Sequence, residues 1–132
     1  MGTPILLLAA WQGCNAILCN NDVLARVRSP NGHRVAVVFD RACGPPVRSG
    51  TQVSVLRLGI LLPSSRGNAA LFDNTPRVVH VNRDQDPLVA VRWSSDSVLE
   101  VRYDSYADHW QPSREVAGVT IRLVPDSTLA PN

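Results

Sequence analysis

Between Cys19 and Cys43 the chain reads as a strand, a tight turn and a second strand, and no other stretch restricts the fold as much. Val23-Leu24-Ala25-Arg26-Val27-Arg28 puts Val23, Ala25 and Val27 on one side of an extended segment. Ser29-Pro30-Asn31-Gly32 then supplies turn chemistry, since proline presets one φ while asparagine and glycine tolerate positive φ. Val35-Ala36-Val37-Val38-Phe39-Asp40 follows as a nearly unbroken apolar run, which predicts a strand covered on both faces. Cys43-Gly44-Pro45-Pro46 ends it. The pattern predicts an antiparallel hairpin within an all-β chain.

The second half carries the period of two more openly. Val89, Val91 and Trp93 alternate with Ala90 and Arg92; Leu99, Val101 and Tyr103 with Glu100 and Arg102; Val119, Ile121 and Leu123 with Thr120 and Arg122. Strands with one apolar face each predict a C-terminal antiparallel meander with a single buried side. Ser94-Ser95-Asp96-Ser97 is the turn between the first two; keeping both apolar faces together restricts the register to even steps, and the one expected places Val91 opposite Val101 and Arg92 opposite Glu100. Earlier, Thr51 to Leu58 alternates as a third strand, continued by the apolar Gly59-Ile60-Leu61-Leu62, and Arg77 to Asn82 reads as a further one. His80 on it is expected at an edge or exposed, not as a ligand.

Residues 63–76 are the longest irregular stretch, with Leu71 and Phe72 expected to tuck inward. Binding function concentrates in long loops, so this loop, through Phe72 and Asp73, is one candidate contact surface. Tyr106-Ala107-Asp108-His109-Trp110-Gln111 is the other, because Tyr106, His109 and Trp110 together can form a platform for a sugar or peptide. Such aromatics also cap the open end of a small β core.

The cysteines are Cys14, Cys19 and Cys43, with no C-x-x-C pair, and His33, His80 and His109 stand far apart. A zinc site therefore has little support. An antiparallel hairpin brings Cys19 and Cys43 to the same end. A disulfide there closes a loop of about 25 residues, which the chain-entropy argument values at about 3 kcal/mol, and export would permit it. A nucleophilic Cys43 thiol is the alternative, with Arg41 its one visible activating neighbour. Cys14 is then cleaved off, lipidated or free.

At 132 residues and 45% apolar composition the chain is long enough for one domain with its own core. The basic residues are all arginine and are interspersed with acids, as at Asp40-Arg41 and Arg83-Asp84. Nucleic-acid binding needs a concentrated basic stripe with stacking aromatics, so that class is not expected. Pro4 to Trp11 is apolar and uncharged, too short for a confident membrane span and without a basic stretch before it. It is read as a targeting or anchoring segment over 1–19, followed by a β-domain over 20–126 and a tail over 127–132. A lipoprotein signal ending at Gly13-Cys14 and a buried N-terminal element of a cytosolic domain are the other readings.

The strings Cys19-Asn20-Asn21-Asp22-Val23-Leu24, Ser29-Pro30-Asn31-Gly32, Ala36-Val37-Val38-Phe39-Asp40-Arg41-Ala42-Cys43-Gly44 and Thr51-Gln52-Val53-Ser54-Val55-Leu56 resemble a family of small uncharacterised bacterial envelope proteins. Val91-Arg92-Trp93, Leu99 to Tyr103 and Val116 to Ile121 look like that family's closing strands. The resemblance covers roughly residues 19–124 and implies an exported or anchored β-domain, a Cys19–Cys43 bridge and no known activity. Pro45-Pro46-Val47 departs from the family's Ala-Thr-Thr, and Ala42 stands where it carries an acid. The Ser-Pro-Asn-Gly turn also resembles that of β-propeller blades, with Ser94-Ser95-Asp96-Ser97 as a worn second copy; two blades cannot close a ring. A small antiparallel β-sandwich or a pair of blade-like sheets is the expected fold.

The expected function is that of a non-enzymatic envelope domain without cofactor, contacting a protein or the cell wall and associating with a membrane, if at all, through its N-terminus. An inhibitor or immunity-type binding module is the second reading. A hydrolase is the third: Gly-x-Ser-x-Gly, His-Glu-x-x-His and phosphate-loop motifs are absent from the sequence, although Asp40, Asp73, Asp104 and Asp108 could assemble in space.

Overall fold

In a computed structural model, residues 19–44 and 49–129 are described. The apolar N-terminal segment with Cys14, and the Pro45-Pro46-Val47 departure, lie outside them. The chain is all-β, with strands β1 (Asn20–Arg28), β2 (Arg34–Ala42), β3 (Gly50–Arg57), β4 (Ala70–Asp73), β5 (Val89–Ser95), β6 (Val98–Tyr103), β7 (Asp108–Trp110), β8 (Glu115–Val116) and β9 (Val119–Pro125). They form a sandwich of two sheets, ordered β1-β2-β3-β4-β7 and β5-β6-β9-β8.

The predicted hairpin is β1–β2, antiparallel from Asn20↔Ala42 to Arg28↔Val35 with one bulge at Leu24. Its turn closes through the Gly32 N–H to the Ser29 carbonyl at 2.9 Å, with Gly32 at a φ of 76°. The Asn31 N–H donates to Asp96 Oδ1 at 2.7 Å, so the tips of the hairpins from the two sheets are tied together. Cys19 and Cys43 are joined by a disulfide just beyond the hairpin's open end.

Alternation explains the core. Ala36 and Val38 of β2, Val53 and Val55 of β3 and Phe72 of β4 face Val89, Leu99, Val101, Val119 and Ile121 of the other sheet. The intervening residues Val35, Val37, Phe39 and Leu56 form a second apolar cluster on the outer face, joined by Val23 and Leu62. The segment after β3 covers it, held where Asn21 Nδ2 donates to the carbonyls of Pro63 and Ser65. This is why β2 is buried from Val35 to Asp40, as its apolar run predicts. Trp93 Nε1 donates to the Val27 carbonyl along one flank of the sandwich, and Gln111 Nε2 to the Ile121 carbonyl on the other.

The β5–β6 register agrees with expectation: Val91 lies opposite Val101 and Arg92 opposite Glu100, with Arg92 Nε 3.7 Å from Glu100 Oε2. The antiparallel meander needs correction. Strand β9 runs parallel to β6, pairing Leu99 with Ile121 and Val101 with Leu123. Residues 104–118 are long enough to cross over: they place β7 beside β4, then reverse through Ala117 and Gly118, both at positive φ, into the β8–β9 hairpin. Parallel pairing keeps the same apolar face inward, so alternation alone cannot distinguish the two.

Three further expectations change. Within 63–76 a strand forms, β4, pairing Phe72 with Thr51. Arg77 to Asn82 forms no strand; a single bridge joins Val81 to Pro87 because the chain reverses between them around Asn82. Strand β3 stops at Arg57, and Gly59 at a φ of 87° turns the chain, leaving Leu58, Ile60 and Leu61 exposed. In the described part of the tail Leu129 is buried.

Asn68 continues the pairing of β3 beyond the end of β4. Its side chain accepts from the Val55 N–H at 2.8 Å and donates to the Val55 carbonyl at 3.0 Å. Asn68→Ala would strip both partners from a buried backbone position, a loss of about 2 kcal/mol that urea denaturation would read as a lower midpoint with an unchanged slope.

Candidate functional site

Five-stranded sheet order places β7 at an edge, with its three residues Asp108, His109 and Trp110 all exposed. The pairing Leu71↔Trp110, Phe72↔His109 and Asp73↔Asp108 assigns faces. Phe72 is inward, so His109 is too, and its ring stacks at 4.9 Å on Tyr103, which stacks at 5.0 Å on Phe72. Burial pushes the Tyr103 hydroxyl above its usual pKa. His109 therefore caps the core, one of the two roles foreseen for this cluster.

Trp110 and Tyr106 behave differently. Trp110 shares the outer face with Leu71 and is 54% exposed, and Tyr106, at the turn into β7, is 46% exposed. Each carries a guanidinium: Arg66 lies 4.6 Å over the Trp110 ring and Arg77 4.1 Å over Tyr106. Thr75 Oγ1 fixes this turn by donating to the Tyr106 carbonyl at 2.7 Å. A flat aromatic under an arginine offers a partner both apolar area and charge with little rotamer entropy to lose. Sequence spacing did not reveal the arginines, which stand 44 and 29 positions from their rings.

Of the foreseen contact residues, Tyr106, His109, Trp110 and Asp73 lie along the β4–β7 edge. Phe72 tucks inward as expected; it is fully buried and so offers no contact surface, because strand alternation turns it into the core between Thr51 and His109. Of the four acids named as a hydrolytic set, Asp73 and Asp108 are cross-strand neighbours. Asp104 is buried and accepts from the Tyr106 N–H at 2.9 Å and the Val79 N–H at 3.4 Å, a turn-fixing role. Asp40 lies at the same end of the five-stranded sheet as Asp73 but two strands away on β2, facing inward.

There, on the inner face at the disulfide end, Asp22, Asp40 and Thr51 occupy matched positions on β1, β2 and β3. The segment 82–87 covers this polar row. Arg83 Nη2 donates to both carboxylate oxygens of Asp22 at 2.8–2.9 Å, holding that carboxyl below its usual pKa. Asn82 Nδ2 donates to Thr51 Oγ1, which in turn donates to the Pro87 carbonyl. Asp86 meets Asp40, and burial together with the Asp86 carboxyl pushes the Asp40 pKa up to about 8. Asp86 carried no signal in the sequence. Among the described residues no three side chains converge in a metal-binding group.

The Cys19–Cys43 disulfide is in keeping with an oxidising, extracytoplasmic compartment, and it excludes Cys43 as a free thiol nucleophile. Among the described residues no helix is long and apolar enough to cross a membrane. No protein-family model, curated protein or solved structure matches the chain.

Proposed function

We propose that the chain is a non-enzymatic domain of the bacterial cell envelope, periplasmic or membrane-anchored, that binds a protein or cell-wall partner through the outer face of β4–β7. The observation that carries the binding reading is the pair of exposed aromatics, Trp110 and Tyr106, each beneath an arginine. Tryptophan, tyrosine and arginine are the residues that dominate binding energy at interfaces. The disulfide and the resemblance of residues 19–124 to envelope proteins support the location. The apolar N-terminal segment fits the role of targeting signal or anchor.

A photo-reactive amino acid at position 110, in protein expressed in a bacterium of the same kind and directed to its envelope, tests this reading. One discrete cross-linked species is expected, lost when Tyr106 and Arg77 are both changed to alanine with folding intact. In a sedimentation assay on purified cell wall or on that cross-linked partner, Trp110→Ala should weaken binding about tenfold or more, the cost of one interface anchor. Binding that survives Trp110→Ala and is lost in Leu61→Ser would move the interface to the exposed Leu58–Leu61 turn and refute this assignment.

A further inference from the structure

Segment 82–87 is fastened to three adjacent strands by three different contacts: Arg83 to Asp22 on β1, Asp86 to Asp40 on β2, and Asn82 with Pro87 to Thr51 on β3. Two of these are ordinary donor–acceptor pairs. The middle one joins two carboxyl groups, each only 4% exposed, and the Oδ2 atoms of both are buried with no donor. Two ionised carboxylates cannot share such a place, whereas one proton between them makes a short, charge-assisted hydrogen bond.

The surrounding charges give no alternative neutralisation. From β1, Asp22 adds a further negative charge and is itself taken by Arg83. From the covering segment, Asp84 is another acid, its pKa raised by partial desolvation and by Asp22. Arg41, next to Asp40 in β2, points to the opposite face and donates from Nη1 to Asn21 Oδ1 at 2.8 Å. Thr51 on β3 does not titrate, and Asp73 of β4 lies beside Gly50, further along the same end.

We propose that Asp40 and Asp86 form a proton-operated latch: one shared proton fastens segment 82–87 over the end of the sandwich, and its loss releases the segment. The segment also walls a cavity of about 610 Å³ lined by Leu24, Val38, Val81, Leu88 and Val89 among others. Releasing it therefore widens an apolar groove between β1 and β5. Once Asp40 loses its proton the segment leaves the groove; while the proton stays, the segment remains fastened as its wall.

In the closed arrangement Asp40 holds its proton up to about pH 8, whereas a carboxyl freed to solvent releases it at the ordinary value of 3.8. Closure therefore weakens as pH rises between these values and levels off above the upper one. With those limits the opening equilibrium should increase about tenfold between pH 7 and pH 9.5.

Trypsin cleavage after Arg83, with its rate divided by that on an unstructured arginyl peptide at the same pH, reads the opening. The normalised rate should rise about tenfold between pH 7 and pH 9.5 while the bond after Arg102, inside β6, stays intact. Asp86→Asn and Asp40→Asn, which need no shared proton, should each reduce the rise to less than about twofold. An unchanged rate in the native sequence, a rise retained by both variants, or simultaneous cleavage after Arg102 would each overturn the latch. So would closure restored at pH 9.5 by calcium ions alone, which would put a metal where the proton is proposed.

Discussion

Phe72→Ala is expected to destabilise the domain by about 4 kcal/mol, the range for emptying an aromatic from a core. Phe72 is the largest inward side chain of β4 and is fully buried, with Tyr103 stacked against it. Its removal leaves a void between the sheets that β4, only four residues long, is poorly placed to close. It also removes the support beneath Tyr103 and, through it, His109. For a domain of this size the loss corresponds to a melting temperature about 20 °C lower. Phe72→Leu, which keeps most of the volume, should cost about 1.5 kcal/mol. Calorimetry of the three proteins gives the comparison. A Phe72→Ala protein melting within a few degrees of the parent would mean that this side chain does not belong to the core.

The second large effect belongs to the disulfide. Cys43→Ser, or full reduction, should lower stability by about 3 kcal/mol, the loop-closure value for a bridge spanning some 25 residues. The bridge lies just outside the Asn20↔Ala42 pair, where it holds β1 to β2 at their open end. It thereby holds Asp22 and Asp40, the first two members of the polar row, in register. β1 is an edge strand, and among the described residues Trp93 and Arg83 donate to its Val27 and Val23 carbonyls. Hydrogen exchange in the reduced protein should accordingly accelerate first in β1, with β3 and β6 protected longest. Uniform acceleration across all strands would show that the bridge acts on the whole domain and not on this edge.

What could be read from the sequence, and what could not, follows from how far each signal reaches along the chain. The β1–β2 hairpin was legible because its turn and both strands are contiguous and the turn dictates the register. The double cover of β2 was legible because Val35 to Phe39 leaves no polar position to face water. The Arg92–Glu100 pairing followed from a two-strand parity argument. Strand β4 was not legible: Ala70 to Asp73 is short, and the preceding residues reach β3 through the Asn68 side chain instead of a hairpin turn. The parallel course of β9 was hidden because either direction buries Val119 and Ile121 equally well. Arg77 to Asn82 has the composition of a strand, but the reversal around Asn82 gives it no partner beyond one bridge.

The candidate sites divide in the same way. Tyr106, His109 and Trp110 could be singled out as a polar-aromatic cluster, because they lie within five positions. Which of them faces outward depends on pairing with β4, and this separates His109 on Tyr103 from Trp110 under Arg66. Asp86 could not be found at all. Its significance comes from Asp40, 46 positions earlier, and from burial of both. Long-range convergence of polar groups leaves no periodic trace.

One bond between Cys19 and Cys43 staples the two-sheet domain, in keeping with an oxidising compartment. Its most direct test is peptide mapping of the native protein, recovered from cells of its own source in the presence of a thiol-alkylating reagent. The predicted result is a peptide pair carrying Cys19 and Cys43 that is joined before reduction and separates after it. Recovery of both residues alkylated, with the pair never joined, would contradict the account.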